Sequence, residues 1–381
     1  MAIRKVSLGY NAVPKSAKTL IHQVFESGQY SPGPMVKQFE REFAYLHNTR
    51  YGIFVNSGTD ALRLSLLAMK EKYGWRQNDL IAVTTQTFVA TINAILQAGL
   101  KPFFFDAGNP WNLERRLNCS SDPINIRAMM VVHLYGAPAD IYHYRLAKEN
   151  NWPIIEDSCE TILNEVKGDV SCYSTYMAHH VTTGVGGLAL TNDPELNRLI
   201  RSYANHGRSN AYIPGYEEVR TKSALIRSRF IFERSGYSCR ATEFEAALGL
   251  SQIKGLNNQI NKRRQVAQKL CQALMKYNSL FHFHDPGLMP DHTFMMFPIL
   301  INERETISKY DLCLHLENRG IETRDMMPIT NQPCFEGLVK EQDFPVSAHI
   351  NKNGFYIACH PGVTDADVKT IKNAFDSYLR K

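Results

Sequence analysis

The sequence of 381 residues predicts an α/β protein with a large domain, built on a mainly parallel sheet flanked by helices, and a smaller C-terminal α/β domain. Two observations support this prediction. Short apolar runs alternate with helical segments along the first part of the chain, as they do in strand–helix–strand units. A long helical stretch then leads to a second group of strands and helices without a low-complexity linker. We expect domains of 1–250 and 251–381, and the chain is long enough for both.

The elements of the large domain are predicted from apolar pattern. Parallel strands are buried on both faces and appear as short apolar runs, whereas helices repeat apolar residues every three or four positions. The predicted strands are 51–55, 79–84, 102–106, 129–134, 153–157 and 188–191. The predicted helices are 36–46, 60–72, 88–97, 141–149, one that opens at 192–194, and 243–253. In the smaller domain we expect strands near 293–301 and 354–358, and helices near 309–318 and 365–379.

Composition argues against a nucleic-acid-binding or membrane protein. The net charge of +6 is mild, and no run of basic residues is interleaved with aromatic residues. No apolar stretch approaches membrane-spanning length, and the N-terminus lacks the apolar core of a signal peptide. The eight cysteines are dispersed without metal-ligand spacing, which is typical of reduced thiols. We expect a cytoplasmic enzyme without a metal, and with neither a membrane nor a nucleic acid as partner.

Residues 56–60, Asn-Ser-Gly-Thr-Asp, join a predicted strand to a predicted helix. The first turn of a helix offers unpaired N–H groups and a positive dipole end, which suit a phosphate. Gly58 allows a close approach, and the hydroxyls of Ser57 and Thr59 add donors. A simpler alternative is an N-cap followed by a glycine turn. The segment alone does not decide between them.

A second polar position follows a buried strand. Glu156-Asp157 ends the run 153–157, and ligands of open α/β sheets bind at the carboxyl ends of the strands. An acid there is suited to a ligand. A capping or surface role is the alternative.

Several segments of the chain resemble, in order, those of the DegT-like sugar aminotransferases, which are fold-type I enzymes dependent on pyridoxal phosphate (PLP). The segment 174–187 resembles the family's S-F-x-x-x-K-x-x-T-T-G-E-G-G pattern around the cofactor lysine. Further matching segments are 28–34, 57–62, 87–91, 133–136, 236–240, 321–324, 331–333, 353–355 and 360–362. The resemblance covers essentially the whole chain, and it implies the fold-type I PLP-dependent transferase fold.

The resemblance also implies roles for individual residues. It implies that the cofactor phosphate is bound by Ser57, Gly58, Thr59 and Ser174. It implies that Phe88 stacks on the pyridine ring, although a lone Phe at a helix start is usually a core residue, and that Asp157 pairs with the pyridine nitrogen. Within 236–240, which the family donates across a homodimer interface, Ser238 is the expected cofactor contact. The expected substrate contacts are Tyr30, Arg240 and Arg324.

His179 occupies the position of the family's cofactor lysine when the Thr182-Thr183-Gly184 run is aligned. A lysine amine forms a Schiff base with the cofactor aldehyde. An imidazole forms no stable one, but it moves protons near neutral pH. One alternative is that His179-His180 is a packed loop pair and another lysine serves. Lys167 is the only lysine between Lys148 and Lys222, and it lies in an element that the family has in addition to its anchor.

One branch of the family makes the same replacement, and GDP-4-keto-6-deoxy-D-mannose 3-dehydratase represents it. An iron–sulfur relative needs clustered cysteines before the 236–240 element, and 208–236 contains none. The resemblance therefore implies a dehydratase that uses PLP or pyridoxamine phosphate (PMP). It would remove the C3 hydroxyl of a nucleotide-linked 4-keto-6-deoxy sugar, with His179 as acid/base and an amino donor such as glutamate.

Two other functions stay open. One is a catalytically silent PLP-binding subunit or regulator, and the other is an unusual aminotransferase that uses free PMP. The sequence departs from the family at Val185, where the family has Glu, at Ser238, where it has Asn, and in a shortened 160–174 stretch. These departures bear on the substrate and on activity itself.

Overall fold

The structure is a computed structural model that describes residues 5–10, 13–108, 126–209, 221, 223, 226–227, 230–303, 306–327 and 329–380. Its strands are β1 (Tyr51–Val55), β2 (Leu80–Thr84), β3 (Lys101–Phe105), β4 (Ile126–Val132), β5 (Ile154–Asp157), β6 (Val170–Ser174), β7 (Gly187–Thr191), β8 (Phe281–Phe283), β9 (Phe297–Ile301), β10 (Thr323–Asp325) and β11 (Gly354–Ile357). Its helices are α1 (Ser16–Ser27), α2 (Pro34–Leu46), α3 (Gly58–Lys72), α4 (Val89–Gln97), α5 (Ile141–Glu149), α6 (Pro194–Ala204), α7 (Glu243–Ile253), α8 (Leu256–Leu274), α9 (Lys309–Glu317), α10 (Pro345–Asn353) and α11 (Asp365–Leu379).

The large sheet has seven strands in the order β1-β7-β6-β5-β4-β2-β3. Four adjacent pairs, from β3 through β2, β4 and β5 to β6, are parallel, and β7 runs antiparallel to both its neighbours. All four residues of β5 are buried, as expected for a central parallel strand. The predicted fold class is therefore confirmed. Because β4, β5, β6 and β1 point the same way, their carboxyl ends meet at one edge of the sheet.

The second sheet is antiparallel, in the order β10-β11-β9-β8. An apolar core that includes Leu270 from α8, Leu312 from α9 and Phe375 from α11 covers it. The N-terminal segment lies beside this sheet, because Val6 forms an isolated parallel bridge with Ile321, just before β10. The division at residue 250 stays a prediction, and this contact brings 5–10 to the side of the second sheet.

Several predicted boundaries differ from the structure. The strand predicted at 129–134 is Ile126–Val132, because the chain turns at Tyr135 and Gly136, which both have positive φ. The strand predicted at 293–301 begins only at Phe297, because the preceding residues hydrogen-bond to that same turn: Thr293 N–H donates to the Gly136 carbonyl (2.8 Å). The sequence analysis missed α1, β6, β8, β10 and α10.

The strand β6 was missed because its sequence, Val-Ser-Cys-Tyr-Ser, has polar residues at buried positions. Ser171 is fully buried, and its hydroxyl bonds that of Ser158 (2.8 Å). A buried hydroxyl with a partner costs little. Within the described part of the chain, no helix combines the length and apolarity needed to cross a bilayer.

Candidate active site

A cavity of about 410 Å³ lies at the carboxyl edge of the large sheet. Residues of the second lobe, including Met295, Met327 and Tyr356, close it on one side. Seven predicted site residues line it: Ser57, Gly58, Thr59, Phe88, Asp157, Ser174 and His179. They come from segments far apart in the sequence, so the sheet topology brings them together.

Ser57 caps the N-terminus of α3. Its Oγ accepts a hydrogen bond from the Asp60 N–H (3.0 Å), so the simple capping interpretation holds for this side chain. The same residue also lines the cavity, together with Gly58 and Thr59, and the first turn of α3 therefore borders the open space. A Cβ on Gly58 would lie 2.9 Å from both Cys159 Sγ and Ser174 Cβ. Glycine is thus required for the close approach of α3 to β6.

Asp157 is held at the end of β5 by two donors. Thr91 Oγ1 donates to its Oδ2 (2.7 Å), and the Cys159 N–H donates to its Oδ1 (3.2 Å). The side chain is buried, and it faces the cavity without an ion-pair partner among the lining residues that the structure describes. The alternative was a capping or surface role: the bond from the Cys159 N–H is a local capping contact, but the buried side chain is not part of a surface salt bridge.

Phe88 precedes α4, and 55% of its surface is exposed, so it is not a core residue. Ser174 ends β6, where its Oγ accepts from the Tyr176 N–H (3.3 Å). Both side chains border the cavity: Phe88 from the position before α4, and Ser174 from the last position of β6.

His179 lies in the turn after β6 and is half-buried. Its Nδ1 is buried and has no hydrogen-bond partner among the described residues. Burial lowers the pKa of its imidazole to about 4, against the opposing effect of the Cys159 backbone. The ring is therefore neutral at pH 7.

No lysine is found among the described residues that line the cavity. Lys167, the candidate for a replacement anchor, is 43% exposed and lies 3.8 Å from Glu165. The neighbouring His180 is buried, and its Nε2 lies 3.1 Å from Thr293 Oγ1. This contact links the turn after β6 to the segment that precedes β9.

Four predicted contacts do not line the cavity of this single chain. They are exposed or partly exposed residues, namely Tyr30, Ser238, Arg240 and Arg324. The Arg240 guanidinium donates to Ser238 Oγ (3.1 Å), so these two lie together beside the end of β1, where Val55 pairs with Arg240. Tyr30 packs on Phe244, and Arg324 lies in β10. Their predicted roles stay predictions.

The sequence analysis missed Glu160. Its carboxyl is buried and lines the cavity, where its Oε2 accepts from the Tyr135 N–H (2.8 Å). Burial, helped by the nearby Asp157 charge, raises the pKa of this carboxyl to about 8. A glutamate in a polar stretch gives no sequence signal of burial, so no pattern pointed to it.

The residues present fit PLP or PMP. The open first turn of α3, with the Ser57 and Thr59 hydroxyls, suits a phosphate. The buried Asp157 carboxylate suits a protonated ring nitrogen. The imidazole of His179 lines the same cavity. The 208–236 segment, of interest for the iron–sulfur alternative, lies partly outside the described residues.

The profile of the DegT/DnrJ/EryC1/StrS aminotransferase family matches residues 13–376. GDP-perosamine synthase of Escherichia coli O157:H7 is 28% identical over 363 residues, which cover 91% of each chain. GDP-4-keto-6-deoxy-D-mannose 3-dehydratase of Yersinia pseudotuberculosis is 23% identical over 379 residues, which cover 93% of each.

A solved structure of the E. coli GDP-4-keto-6-deoxy-D-mannose 3-dehydratase, with bound hydrated PLP, shares the fold. Its TM-score is 0.87 at 21% identity, and the match covers 98% of this chain and 99% of that one. The predicted cofactor, PLP or PMP, agrees with the matched family and with the PLP in that structure. This chain belongs to the DegT/DnrJ/EryC1/StrS aminotransferase family.

Proposed function

We propose that the chain is a PMP-dependent dehydratase that replaces the C3 hydroxyl of a nucleotide-linked 4-keto-6-deoxy sugar by hydrogen. The observation that carries this proposal is His179, whose imidazole lines the cavity at the position of the family's lysine. No lysine lines the described part of the cavity to take over the anchoring role. PMP bound here would therefore keep its amine available to a ketone substrate.

Three parts of the chain hold the cofactor in this proposal. The first turn of α3, from Ser57 to Thr59, binds the phosphate together with Ser174, and Phe88 covers the ring. Asp157 keeps the ring nitrogen protonated. The bound cofactor supplies an electron sink that stabilises negative charge on the adjacent carbon.

His179 moves the protons. Its neutral ring accepts a proton from the ligand and returns it to the C3 hydroxyl as that group departs, which makes water the leaving group. With glutamate as amino donor the reaction balances. The sugar exchanges its C3 hydroxyl for hydrogen, glutamate becomes 2-oxoglutarate, and ammonia is released.

An aminotransferase is the second candidate, because GDP-perosamine synthase is among the similar relatives. An aminotransferase with its lysine replaced would have to release its product without the displacement that a lysine amine provides. The substitution at His179 therefore favours the dehydratase.

Mass spectrometry of the reaction products separates the candidates. PMP-loaded protein is incubated with glutamate and a panel of nucleotide-linked 4-keto-6-deoxy sugars that differ in the nucleotide. The dehydratase gives a sugar one oxygen atom lighter, with stoichiometric ammonia. A 4-amino sugar without ammonia would instead identify an aminotransferase. Unchanged sugar across the panel, in protein that binds PMP, would favour the catalytically silent subunit.

We further propose a homodimer in which the partner's 236–240 segment completes each site. Ser238 and Arg240 do not line the cavity of their own chain, and both are exposed. Exposed aromatic and apolar residues, Phe88, Tyr176 and Val185, surround the cavity mouth, where a partner would cover them.

Complementation tests this homodimer. A mixture of inactive His179→Asn and Arg240→Ala chains, dissociated and reassembled, should regain activity, because each mixed dimer contains one site with both native residues. Each variant reassembled alone is the control. A fully active monomer in size-exclusion chromatography, or no recovery in a mixture shown to contain mixed dimers, would contradict the proposal.

A further inference from the structure

Arg263 is a buried cation on α8. Only 5% of its surface is exposed, and its neighbours on the same helix, Ile260 and Val266, belong to apolar cores. Within the described structure, no carboxylate is among the groups that act on its charge. A buried guanidinium without a carboxylate partner is costly unless its N–H groups are hydrogen-bonded. An apolar side chain would suit the packing at this position, so the reason for an arginine lies in its hydrogen bonds.

The Arg263 guanidinium binds backbone carbonyls. Its Nη1 donates to the carbonyl oxygens of Phe294 (3.2 Å), Met295 (2.9 Å) and Cys359 (2.8 Å). Two of these acceptors belong to the segment 293–295, which precedes β9, and the third lies just after β11. One side chain of α8 therefore ties two parts of the second lobe together.

The segment 293–295 also bonds to the large lobe. The Thr293 N–H donates to the Gly136 carbonyl (2.8 Å). The Met295 N–H donates to the Tyr135 carbonyl (3.1 Å), in the same turn after β4. The segment is therefore fixed from both sides, through its amides by the large lobe and through its carbonyls by α8.

Phe294, at the centre of this segment, has a strained backbone. Its φ of 47° lies in the left-handed region, which bulky side chains rarely adopt. The residue is fully buried, and its ring stacks on that of His292 with the centroids 3.8 Å apart. A strained conformation persists only where its surroundings determine it. The bond from Arg263 to the Phe294 carbonyl is part of those surroundings.

The same segment borders the cavity. Met295 lines it, as does the next residue, Met296. Thr293 Oγ1 lies 3.1 Å from the Nε2 of His180, in the turn that also contains His179. A change in the path of the segment would therefore move both the apolar wall of the cavity and the contact with this turn.

We propose that Arg263 is a positioning residue for the reaction: its hydrogen bonds to the carbonyls of 293–295 hold that segment in the path that forms the second-lobe wall and supports the His179 turn. Arg263 does not itself line the cavity, so it acts through the segment. Its effect on turnover rests on the proposed function, whereas its effect on the segment does not. PMP binding should be spared, because the contacts proposed for PMP belong to the large lobe.

Arg263→Met is the informative substitution, because methionine is a flexible apolar side chain that fills space but donates no hydrogen bond. Arg263→Lys retains a positive charge with donors and is the conservative variant. Lys262→Met is the matched control, since Lys262 precedes Arg263 on the same helix and is exposed.

Hydrogen exchange, followed by peptide mass spectrometry, measures the segment without ligand or turnover. In the wild type the amides of 293–295 should exchange as slowly as those of β9, although they lie outside that strand. In Arg263→Met they should exchange about 10- to 100-fold faster, because hydrogen bonds from a charged group are lost. Arg263→Lys should be intermediate, and Lys262→Met should match the wild type.

Two exchange results would overturn the proposal. One is rapid exchange of 293–295 in the wild type, a test that needs no folded variant. The other is exchange in Arg263→Met that is unchanged in this segment, or is raised equally throughout the chain.

Turnover separates positioning from a general structural role. In Arg263→Met it should fall by up to about 10²-fold, as expected when reacting groups are misplaced, while the PMP dissociation constant stays near the wild-type value. Arg263→Lys should recover part of the turnover. A parallel loss of PMP binding and turnover would contradict the positioning role. Failure of the dehydratase proposal would appear separately, as wild-type protein with the expected exchange pattern and no sugar turnover.

Discussion

The Asp157 end and the His179 end of the cavity differ in how the functional side chain is held. At one end Asp157 closes a buried parallel strand, and both its oxygens accept hydrogen bonds. At the other end His179 follows a strand in a turn, and its Nδ1 has no partner among the described residues. The first end is fixed before any ligand arrives. The second is held by fewer hydrogen bonds among the described residues.

Under the proposed function, this difference means that binding and chemistry are carried by separate parts of the site. Substitution at the His179 end should affect the reaction and spare the cofactor, whereas substitution at the Asp157 end should affect both. A neutral imidazole has no charge with which to hold a phosphate or a pyridinium, and it is in the protonation state that can accept a proton.

His179→Asn is expected to have the largest effect. Asparagine retains polarity but transfers no proton, so turnover should fall by about 10²–10⁴-fold. The dissociation constant for PMP should stay close to the wild-type value. Steady-state turnover and PMP titration measure the two quantities, and His22→Asn, at a side chain 74% exposed, is the control. Near-native dehydration in His179→Asn would remove the imidazole from the mechanism.

Asp157→Asn should weaken PMP binding about 10- to 100-fold, because a hydrogen bond to a charged group contributes about 1.5–3 kcal/mol. Turnover should fall as well. The fold should persist, since the amide oxygen still accepts one hydrogen bond, and the Thr91 hydroxyl has Thr87 as a second partner (2.7 Å). Fluorescence titration and circular dichroism separate these effects. If Asp157→Asn lost turnover but bound PMP normally, the two ends would not differ as described.

The smallest expected effect is on acid stability. Burial lowers the pKa of His179 to about 4, and it lowers the pKa values of His47 and His143 to about 4 as well. The unfolded chain takes up these protons near pH 6.5, so the free energy of unfolding falls as the pH drops from 6.5 towards 4. Glu160, whose pKa is raised, has the opposite effect: its contribution to the free energy of unfolding increases as the pH drops from 8 to 4.5.

His179→Asn removes one of these histidines. Between pH 6.5 and 5 its free energy of unfolding should fall by about 1.5 kcal/mol less than that of the wild type. Urea unfolding at the two pH values provides the measurement. An equal loss in both proteins would mean that the His179 ring is solvated.

Much of the Asp157 end could be predicted from sequence. Buried parallel strands are apolar runs that stop at a polar residue, and this pattern located β1, β2 and β5 with the residues that follow them. The helix start after Val55 was likewise visible as a serine and a glycine at its first positions. Local pattern is sufficient where one strand or one helix start positions the side chain.

Less of the His179 end could be predicted. The strand β6 that positions Ser174 was missed because its buried Ser171 is paired with Ser158, a partner in another segment. Glu160, which lies beside Asp157, was also missed, because its burial depends on Tyr135 and Tyr356, which the topology brings from other segments. The role predicted for His179 came from the family resemblance. Only the structure shows that its Nδ1 has no hydrogen-bond partner among the described residues.

Borohydride reduction of PLP-loaded protein, followed by peptide mass spectrometry, tests the central claim most directly: this cavity binds the cofactor without a covalent anchor. PLP should be released on denaturation, and no peptide should carry a reduced phosphopyridoxyl group. His179→Lys, which restores an amine at that position, should acquire the group and serve as the positive control. A phosphopyridoxyl adduct on Lys167, or on any other lysine of the wild-type chain, in stoichiometric yield would contradict the account.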